Sequence, residues 1–294
     1  MDYLTIIILG IVQGITEFLP ISSDGHLVLV GEALRRWRGV SSDQMSAVPV
    51  IVALHIGTLF SILVVLRKRV WSLVQDPKLF AAVVVATVPL VVIGKPLKDQ
   101  LEALEHSPYL SLMAGIGLCI TAAMMFLAGR FQASAKALPE FGERPRGWMD
   151  ALVVGLMQCI APLPGVSRSG STILGGLWRG YSREAAAQFS FLIALPAIAG
   201  AVVLHLPDLA RKDLGTPVPV LITGVVVSFV VGVLALNWLL RLVTRSSFRG
   251  FAWYCLVVGI AVCIWQAGEL SSASSSPPKT PPANTAATAQ ETTP

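Results

Sequence analysis

Long apolar runs constrain this 294-residue chain more than any other feature. Six of them are long enough to cross about 30 Å of hydrocarbon as a helix. They lie near residues 48–66, 79–97, 109–129, 186–206, 218–240 and 250–268. Charged residues make up 13% of the chain, about half the usual share in a soluble domain, which is too few to cover such runs in a water-soluble core. The sequence therefore predicts an all-α polytopic membrane protein with about six transmembrane helices.

Two further apolar stretches are too short, or too interrupted by glycine, to be full spans. Residues 3–19 and 148–163 each lead into a turn rich in Pro, Ser and Gly, followed by another short helical segment. Irregular backbone at membrane depth persists only where protein or a water-filled cavity surrounds it. We therefore expect two re-entrant helical hairpins, at 3–35 and 148–180.

An internal repeat relates the two hairpins. An offset of 145 positions places residues 10–29 on 155–174 without a gap. The residues that coincide are Gly10 and Gly155, Gln13 and Gln158, Ile15 and Ile160, Ser22 and Ser167, Gly25 and Gly170, and Leu29 and Leu174. Because polar and glycine positions coincide as well as apolar ones, we infer a duplication, with repeats at 1–147 and 148–270. Residues 271–294, rich in Ser, Pro, Thr and Ala, are predicted to form a disordered tail.

The basic residues predict how the chain is oriented. A hairpin and three spans per repeat leave the second repeat inverted relative to the first. The larger set, of thirteen, is Arg67, Lys68, Arg69, Lys78, Arg130, Lys136, Arg144, Arg146, Arg179, Arg183, Arg241, Arg245 and Arg249. The opposite set, of eight, is Arg35, Arg36, Arg38, Lys95, Lys98, Arg211, Lys212 and Lys279. The larger set should be cytoplasmic, which places both termini outside and the two hairpin tips near the middle of the membrane. This arrangement accounts for the net charge of +5 without a nucleic-acid partner.

The first hairpin carries polar residues at helical spacing. Gln13 and Glu17 are four positions apart and share one helix face. Ser22 and Ser23 follow at the bend, and Ser22 is four positions before His26. A hydroxyl beside an imidazole is the minimum arrangement for nucleophilic displacement, because the imidazole can take the proton from serine.

Structural roles are the alternative for these residues. Ser22 or Asp24 would then cap the following helix, and His26 would be a buried group with satisfied hydrogen bonds. A carboxylate and an imidazole at membrane depth are costly unless paired, and ionisable groups there usually mark functional sites. We therefore favour function for Glu17 and His26 and leave both interpretations open for Asp24.

The second hairpin contains the sequence PGVSRSGST, residues 164–172. Gly165 and Gly170 would let the backbone approach a ligand closely, and consecutive amides at the start of a helix form an anion site. Arg168 offers donors that match two phosphate oxygens. The hydroxyls that would add hydrogen bonds are those of Ser167, Ser169, Ser171 and Thr172. The pattern predicts a phosphate-binding loop, and the alternative is an arginine held by carbonyls among small residues that pack helices.

Other polar residues are less informative. His55 lies within an apolar span, where it would either line the cavity or pack in the core. Asp150 and Gln158 are near the second loop, although Asp150 would serve equally as a first-turn helix charge.

Three segments resemble one known family. QGITEFLPISSDGH at 13–26, PGVSRSGST at 164–172 and FSFLIALPA at 189–197 are similar to the undecaprenyl-pyrophosphate phosphatases of bacterial inner membranes, the bacitracin-resistance type. The resemblance extends from Leu4 to about Gln266. It implies hydrolysis of undecaprenyl pyrophosphate to undecaprenyl phosphate and inorganic phosphate, which recycles the lipid carrier of cell-wall synthesis.

The resemblance also assigns residues and a cofactor. The Glu/Gln-x-x-x-Glu element of the family falls on Gln13 and Glu17, its Ser-His element on Ser22, Ser23 and His26, and its PGxSRSG loop on 164–170. The family implies a divalent cation, Mg²⁺ or Ca²⁺, with Glu17 as the well-placed ligand. Gln13 is the less acidic option at its position, so a metal site formed by the two carboxylates of this element is not expected. Asp24 is a separate departure, because the family more often has Thr or Ser there.

The predicted mechanism places the lipid tail between helices and the pyrophosphate in the pocket, held by Arg168 and backbone amides. Ser23, in preference to Ser22, attacks the terminal phosphorus with His26 positioned for proton transfer, and direct attack by water stays open.

The alternative function is a polyprenyl-phosphate flippase, because inverted repeats with re-entrant loops are typical of transporters. We expect the pocket to be reached from the periplasmic side. The expected partners are the lipid substrate and membrane lipids, and a homodimer stays open.

Overall fold

The computed structural model describes residues 1–39, 48–94, 96, 104, 107, 109–131, 141, 147–205, 215–245 and 247–274. Within these ranges the chain forms eleven helices and no β-strand. They are α1 (Tyr3–Thr16), α2 (Ser23–Arg38), α3 (Val48–Val65), α4 (Arg67–Gln75), α5 (Pro77–Gly94), α6 (Leu110–Ala128), α7 (Gly147–Gln158), α8 (Arg168–Trp178), α9 (Arg183–Leu204), α10 (Val218–Arg245) and α11 (Arg249–Ser274). The prediction of an all-α chain is confirmed over these residues.

Six helices are long and apolar enough to cross a membrane, namely α3, α5, α6, α9, α10 and α11. Each overlaps one predicted span, so the prediction of a multi-pass membrane protein is confirmed. Their outer faces are apolar: Leu234, Val257 and Ile264 are 66%, 64% and 68% exposed. Side chains of this kind need lipid around them, since a water-exposed belt of them would be an aggregation site.

Two helices extend beyond their predicted ends. Helix α10 continues to Arg245, and α11 continues to Ser274, four residues into the predicted tail. Residues 275–294 lie outside the described residues. The same holds for eight of the basic residues used to predict orientation, which are Lys95, Lys98, Lys136, Arg144, Arg146, Arg211, Lys212 and Lys279.

Helix pairs α1–α2 and α7–α8 fall on the two predicted hairpins. Helix α1 has 14 residues and α7 has 12, so at 1.5 Å per residue they measure about 21 Å and 18 Å, short of about 30 Å of hydrocarbon. The chain reverses after each of them, and a serine N-cap begins the return helix: Ser22 caps α2 and Ser167 caps α8.

Close helix packing encloses both hairpins. Gly57 of α3 lies so near α10 that an added Cβ would overlap the Ser228 hydroxyl. Phe18, in the turn of the first hairpin, packs edge-to-face on Phe191 of α9, with ring centroids 5.7 Å apart. Both rings are fully buried, in the same apolar cluster as Leu118 of α6. The turn of the first hairpin therefore lies in the interior of the molecule, whereas in the second turn Val166 is buried and Leu163 is 43% exposed.

Helix α4 was not predicted. Its nine residues begin with three basic side chains, a pattern that indicates a connecting loop when read from sequence. Val70 and Leu73 nevertheless pack against buried residues of the core, while Trp71 and Val74 stay exposed. The helix therefore joins α3 to α5 with one apolar face against the protein.

Candidate active site

A cavity of about 190 Å³ lies where the two hairpin turns meet. It is lined by Thr16, Glu17, Ser22, Ser23, Asp24, His55, Leu90, Gln158, Ala161, Pro162, Val166, Ser167, Arg168, Ser169, Ala197, Ile198 and Ala201. Residues from both hairpins and from α3, α5 and α9 therefore share one site. Six of the predicted site residues line it, which are Glu17, Ser22, Ser23, Ser167, Arg168 and Ser169.

Glu17 is the centre of the polar contacts. Its Oε1 accepts a hydrogen bond from Nη2 of Arg168 at 2.5 Å, across the two hairpins. Its Oε2 accepts from the Ser23 hydroxyl at 2.7 Å and from Nε2 of Gln13 at 3.0 Å, while Nε2 of His55 is 3.9 Å away. The shared helix face expected for Gln13 and Glu17 is present. A buried carboxylate is thus compensated by a cation and two further donors.

The two serines of the first turn have different surroundings. Ser22 is the one non-glycine residue with positive φ, 71°, among those the structure describes. Its hydroxyl accepts from the Gly25 amide at 3.2 Å, so it caps α2. The Ser23 hydroxyl instead donates to Glu17. Strained backbone is concentrated at functional sites, and here it lies immediately before the serine whose hydroxyl contacts the carboxylate.

The second turn repeats the serine cap at the equivalent position, but Ser167 has an extended backbone with φ −79°. The Ser167 hydroxyl accepts from the Gly170 amide at 3.1 Å. Thr121 of α6 holds the preceding backbone: it accepts from the Ser167 amide at 2.9 Å and donates to the Gly165 carbonyl at 2.9 Å. Each return helix therefore begins at the cavity in a fixed position.

Unpaired backbone amides remain at both helix starts. Over the described ranges, the amides of Ser23, Asp24, Arg168 and Ser169 have no hydrogen-bond partner. The first N–H groups of a helix are free in this way, and together with the helix dipole they attract anions. Two such starts at one cavity give it the character of an anion site.

His26 is not placed against a serine hydroxyl. Its Nδ1 is 2.7 Å from the Ser22 carbonyl oxygen, and its Nε2 is 2.8 Å from the hydroxyl of Tyr254 on α11. The two rings stack with centroids 5.6 Å apart. Because Nδ1 faces an acceptor, we assign the proton to it, which leaves Nε2 to accept from Tyr254. His26 is absent from the cavity wall. The expected contact of the imidazole with a serine hydroxyl is replaced by a contact with the Ser22 backbone.

Four residues of the predicted phosphate loop also lie away from the cavity wall. The Ser171 hydroxyl donates to the Arg168 carbonyl at 2.9 Å, and that of Thr172 is 2.6 Å from the hydroxyl of Ser190. The other two are glycines that contact α6. Gly165, with φ +83°, lies against the Ala114 backbone, and Gly170 lies against Ser167 and Met125. The small residues at these positions serve packing of the loop.

The chain is similar to proteins of a known family. Residues 6–261 match the family described as Bacitracin resistance protein BacA. The chain belongs to this family. A relative from Rhodopirellula baltica named undecaprenyl-diphosphatase is 41% identical over 90% of this chain and 98% of its own. Relatives of the same name from a Psychrobacter species and from Alkaliphilus metalliredigens are 37% and 35% identical, covering 90% and 88% of this chain and 96% and 97% of theirs. The predicted resemblance is confirmed.

Sequence reasoning about this BacA-family chain left His55 and Gln158 undecided and missed Thr121 and Tyr254. His55 lines the cavity, and its Nδ1 is 2.8 Å from the Ile51 carbonyl. From sequence, its position in an apolar span did not show whether the side chain lines the cavity or packs in the core. Thr121 and Tyr254 gave no signal, because their partners are remote in sequence. Gln158 is fully buried at the cavity wall, yet neither polar atom of its side chain has a hydrogen-bond partner in the described part of the chain.

The described residues do not form a complete metal site. Glu17 and Asp24 are the carboxylates of the cavity wall, and the oxygens of Glu17 already accept three hydrogen bonds. No group of three or more His, Cys, Asp or Glu side chains that could hold an ion occurs among the residues with described positions. A cation in this cavity would therefore need phosphate oxygens to complete its ligands. The predicted cation stays a prediction.

Proposed function

We propose that this protein hydrolyses undecaprenyl diphosphate to undecaprenyl phosphate and inorganic phosphate in the bacterial inner membrane, which regenerates the lipid carrier of cell-wall synthesis. Relatives that align over about nine-tenths of the chain carry the name of this activity. The observation that carries the proposal is the series of contacts from the Ser23 hydroxyl to Glu17 and from Glu17 to Arg168, at one cavity. It joins a nucleophile, a proton acceptor and a phosphate-binding cation.

The diphosphate binds at the starts of α2 and α8. The free amides of Ser23, Asp24, Arg168 and Ser169 donate to its oxygens, and the guanidinium of Arg168 is shared between Glu17 and the terminal phosphate. Hydrogen bonds to ionised groups are the strong ones, and in a cavity shielded from water their effect is larger than at a surface. Catalysis is then mainly positioning and stabilisation of charge, as in other phosphoryl transfers.

The polyprenyl tail occupies a neighbouring apolar cavity. This cavity has a volume of about 970 Å³ and is walled by side chains of α4, α5 and α9. It adjoins the polar cavity through shared helices: Val91 and Pro196 line the apolar side, while Leu90 and Ala197 line the polar side. A lipid that enters between these helices would place its head group beside Ser23.

Ser23 is the proposed nucleophile. Its Oγ attacks the terminal phosphorus, Glu17 takes the hydroxyl proton over the 2.7 Å hydrogen bond, and the bond from phosphorus to the bridging oxygen breaks. Undecaprenyl phosphate leaves, and water then hydrolyses the phosphoserine. His26 holds the backbone of Ser22 and so positions the first turn of α2. Direct attack by water, with Glu17 as its base, is the alternative.

We expect the predicted divalent cation to bind together with the substrate. Mg²⁺ commonly binds through one or two carboxylates and phosphate oxygens, and Asp24 and Glu17 are the side chains that would hold it. When bound, Mg²⁺ or Ca²⁺ would neutralise charge on the diphosphate. The protein groups described above carry the proton transfer and the positioning.

The proposal includes two inverted repeats with re-entrant hairpins. Helix α1 packs on α10, and α7 packs on α5. The offset of 145 residues places α1 on α7 and α5 on α10, so the two packing pairs are equivalent. An Asp–Arg pair closes the base of each hairpin, Asp2 with Arg38 at 2.7 Å and Asp150 with Arg179 at 2.6 Å. Charged bases and interior tips support hairpins that enter from opposite sides, with the first one open to the periplasm. Whether the protein forms a homodimer stays open.

The deciding experiment measures phosphate release by the purified protein in detergent with undecaprenyl diphosphate as substrate. Wild type and Arg36→Ala should release phosphate at similar rates, because Arg36 pairs with the exposed Glu269, away from the cavity. Ser23→Ala and Arg168→Ala should lose nearly all activity. If wild type releases no phosphate but moves polyprenyl phosphate across vesicle membranes, the flippase alternative replaces the enzyme.

A further inference from the structure

We propose that Gln158 is a substrate-binding residue, whose carboxamide donates a hydrogen bond to the diphosphate head group; this inference rests on the proposed function. Gln158 is the last residue of α7 and lines the polar cavity. Its side chain is fully buried, and both its Nε2 and its Oε1 lack a hydrogen-bond partner throughout the described ranges. A polar group in this state is prepared for a ligand.

The energetics argue against a purely structural role. A buried amide without partners loses its hydrogen bonds to water and gains none from the protein, so it lowers stability. Native proteins keep few such groups, and those that they keep commonly have a function. A leucine would fill nearly the same volume without this penalty. The glutamine therefore contributes something that packing does not require.

The repeat shows what the missing partner is. Gln13 occupies the equivalent position in the first hairpin and is equally buried, and its Nε2 donates to Glu17 at 3.0 Å. The position equivalent to Glu17 in the second hairpin is Pro162, which also lines the cavity. The second hairpin thus has the amide donor but no carboxylate to accept from it. An oxygen of the bound diphosphate would take the place of that carboxylate.

The chemistry of the ligand fixes the orientation of the amide. Phosphate oxygens of an ionised diphosphate only accept hydrogen bonds, so the NH₂ end of Gln158 faces the substrate. Gln158 is neutral and does not interact with Glu17, whereas the Arg168 guanidinium is already bonded to it. The amide therefore adds affinity for the head group without first breaking an ion pair.

The test compares Gln158→Leu with a control, Gln266→Leu. Gln266 is also buried, on α11, but does not line the cavity. For Gln158→Leu we expect KM for undecaprenyl diphosphate to rise about 10- to 100-fold, the loss typical of one hydrogen bond to a charged group. We expect its Tm to equal or exceed that of wild type, because an unpaired buried amide is removed. Gln158→Glu should raise KM further through repulsion, and Gln266→Leu should leave KM unchanged.

A second measurement separates this inference from the proposed enzyme activity. Inorganic pyrophosphate should raise the Tm of wild type, and Gln158→Leu should need about tenfold more of it for the same shift. A KM and a pyrophosphate shift that both match wild type would overturn the role of Gln158, as would a fall in Tm that accounts for the loss of activity. If wild type releases no phosphate from the lipid, the proposed function fails, and the pyrophosphate shift still decides whether Gln158 binds this group.

Discussion

Glu17 combines two tasks in one side chain. Its charge is paired with Arg168, and it also accepts a hydrogen bond from the Ser23 hydroxyl. Buried ion pairs add little net stability, but removal of one partner leaves a charge without compensation. In the proposed mechanism, the contact between Glu17 and Arg168 therefore ties function and folding to the same two residues, and single substitutions should disturb both.

A double-mutant cycle separates the two effects. We expect Arg168→Met to lower the free energy of unfolding by about 3–5 kcal/mol, because Glu17 is left buried and unpaired. Adding Glu17→Gln should restore most of this stability without restoring phosphate release. Thermal unfolding in detergent and the phosphate assay provide the two readouts. Equal stability of Arg168→Met and the double variant would show that the pair is not coupled.

The neighbouring serines make a second matched comparison. Ser23→Ala should lower kcat by more than about 10³-fold, as expected for loss of a nucleophile, and should lower the Tm modestly because Glu17 loses one hydrogen bond. Ser22→Ala removes an N-cap and should cost about 1 kcal/mol of stability, with a smaller effect on kcat. Near-normal turnover by Ser23→Ala would instead support direct attack by water.

At the scale of helices and turns, the starts of α2 and α8 determine the site. Each is fixed by a serine cap, and the second turn is also fixed by Thr121 and by the close approach of Gly165 to α6. The anion site therefore depends on backbone geometry as much as on side chains. Changes in the turn that leave every polar side chain intact should still weaken binding.

Gly165→Ala tests this dependence, with Gly39→Ala as its control. Both glycines have positive φ, +83° and +68°, but a Cβ at Gly165 would overlap the Ala114 carbonyl whereas one at Gly39 meets nothing within 4 Å. Gly39→Ala should cost about 1–2 kcal/mol from backbone strain alone. Gly165→Ala should cost more and should also raise KM. Equal Tm losses in the two variants would mean that contact with α6 is not important.

Local sequence patterns predicted the elements well and their long-range contacts poorly. The six spans could be predicted because their apolar runs match the membrane thickness, and the two turns because Pro, Gly and Ser interrupt such runs. The spacing of Ser22 and His26 was correct, but the Ser22 hydroxyl is used as a cap and the imidazole meets the carbonyl instead. Contacts of Thr121 with Gly165 and of His26 with Tyr254 span 44 and 228 positions, and one sequence contains no pattern that reveals them.

At the scale of the whole molecule, the site belongs to neither half alone. The first hairpin supplies Glu17 and Ser23, and the second supplies Arg168 and the start of α8. Under the proposed inverted repeat, two equivalent helix starts come to one point, and the difference between Glu17 and Pro162 gives them unequal tasks. The proposed duplication would then account for the anion site, and its divergence for the reaction.

Cysteine labelling tests the inverted arrangement. Trp37 and Trp178 lie near the ends of α2 and α8 and are 73% and 60% exposed, as expected for aromatic residues at the membrane interface. In a variant without the four native cysteines, Trp37→Cys should react with a membrane-impermeant maleimide from the periplasmic side. Trp178→Cys should react only after the inner face is opened. Labelling of both from one side would refute the inversion.

The ion pair between the hairpins also sets an order of events during biosynthesis. Glu17 and Arg168 are 151 positions apart, and ribosomes add about 5–20 residues per second, so the carboxylate is made roughly 8–30 s before its partner. An ionised carboxylate without a partner is expensive in lipid. If the first hairpin is re-entrant as proposed, it can take its final depth only after the second has been synthesised, so insertion of the proposed catalytic carboxylate would be a late step in the assembly of the protein.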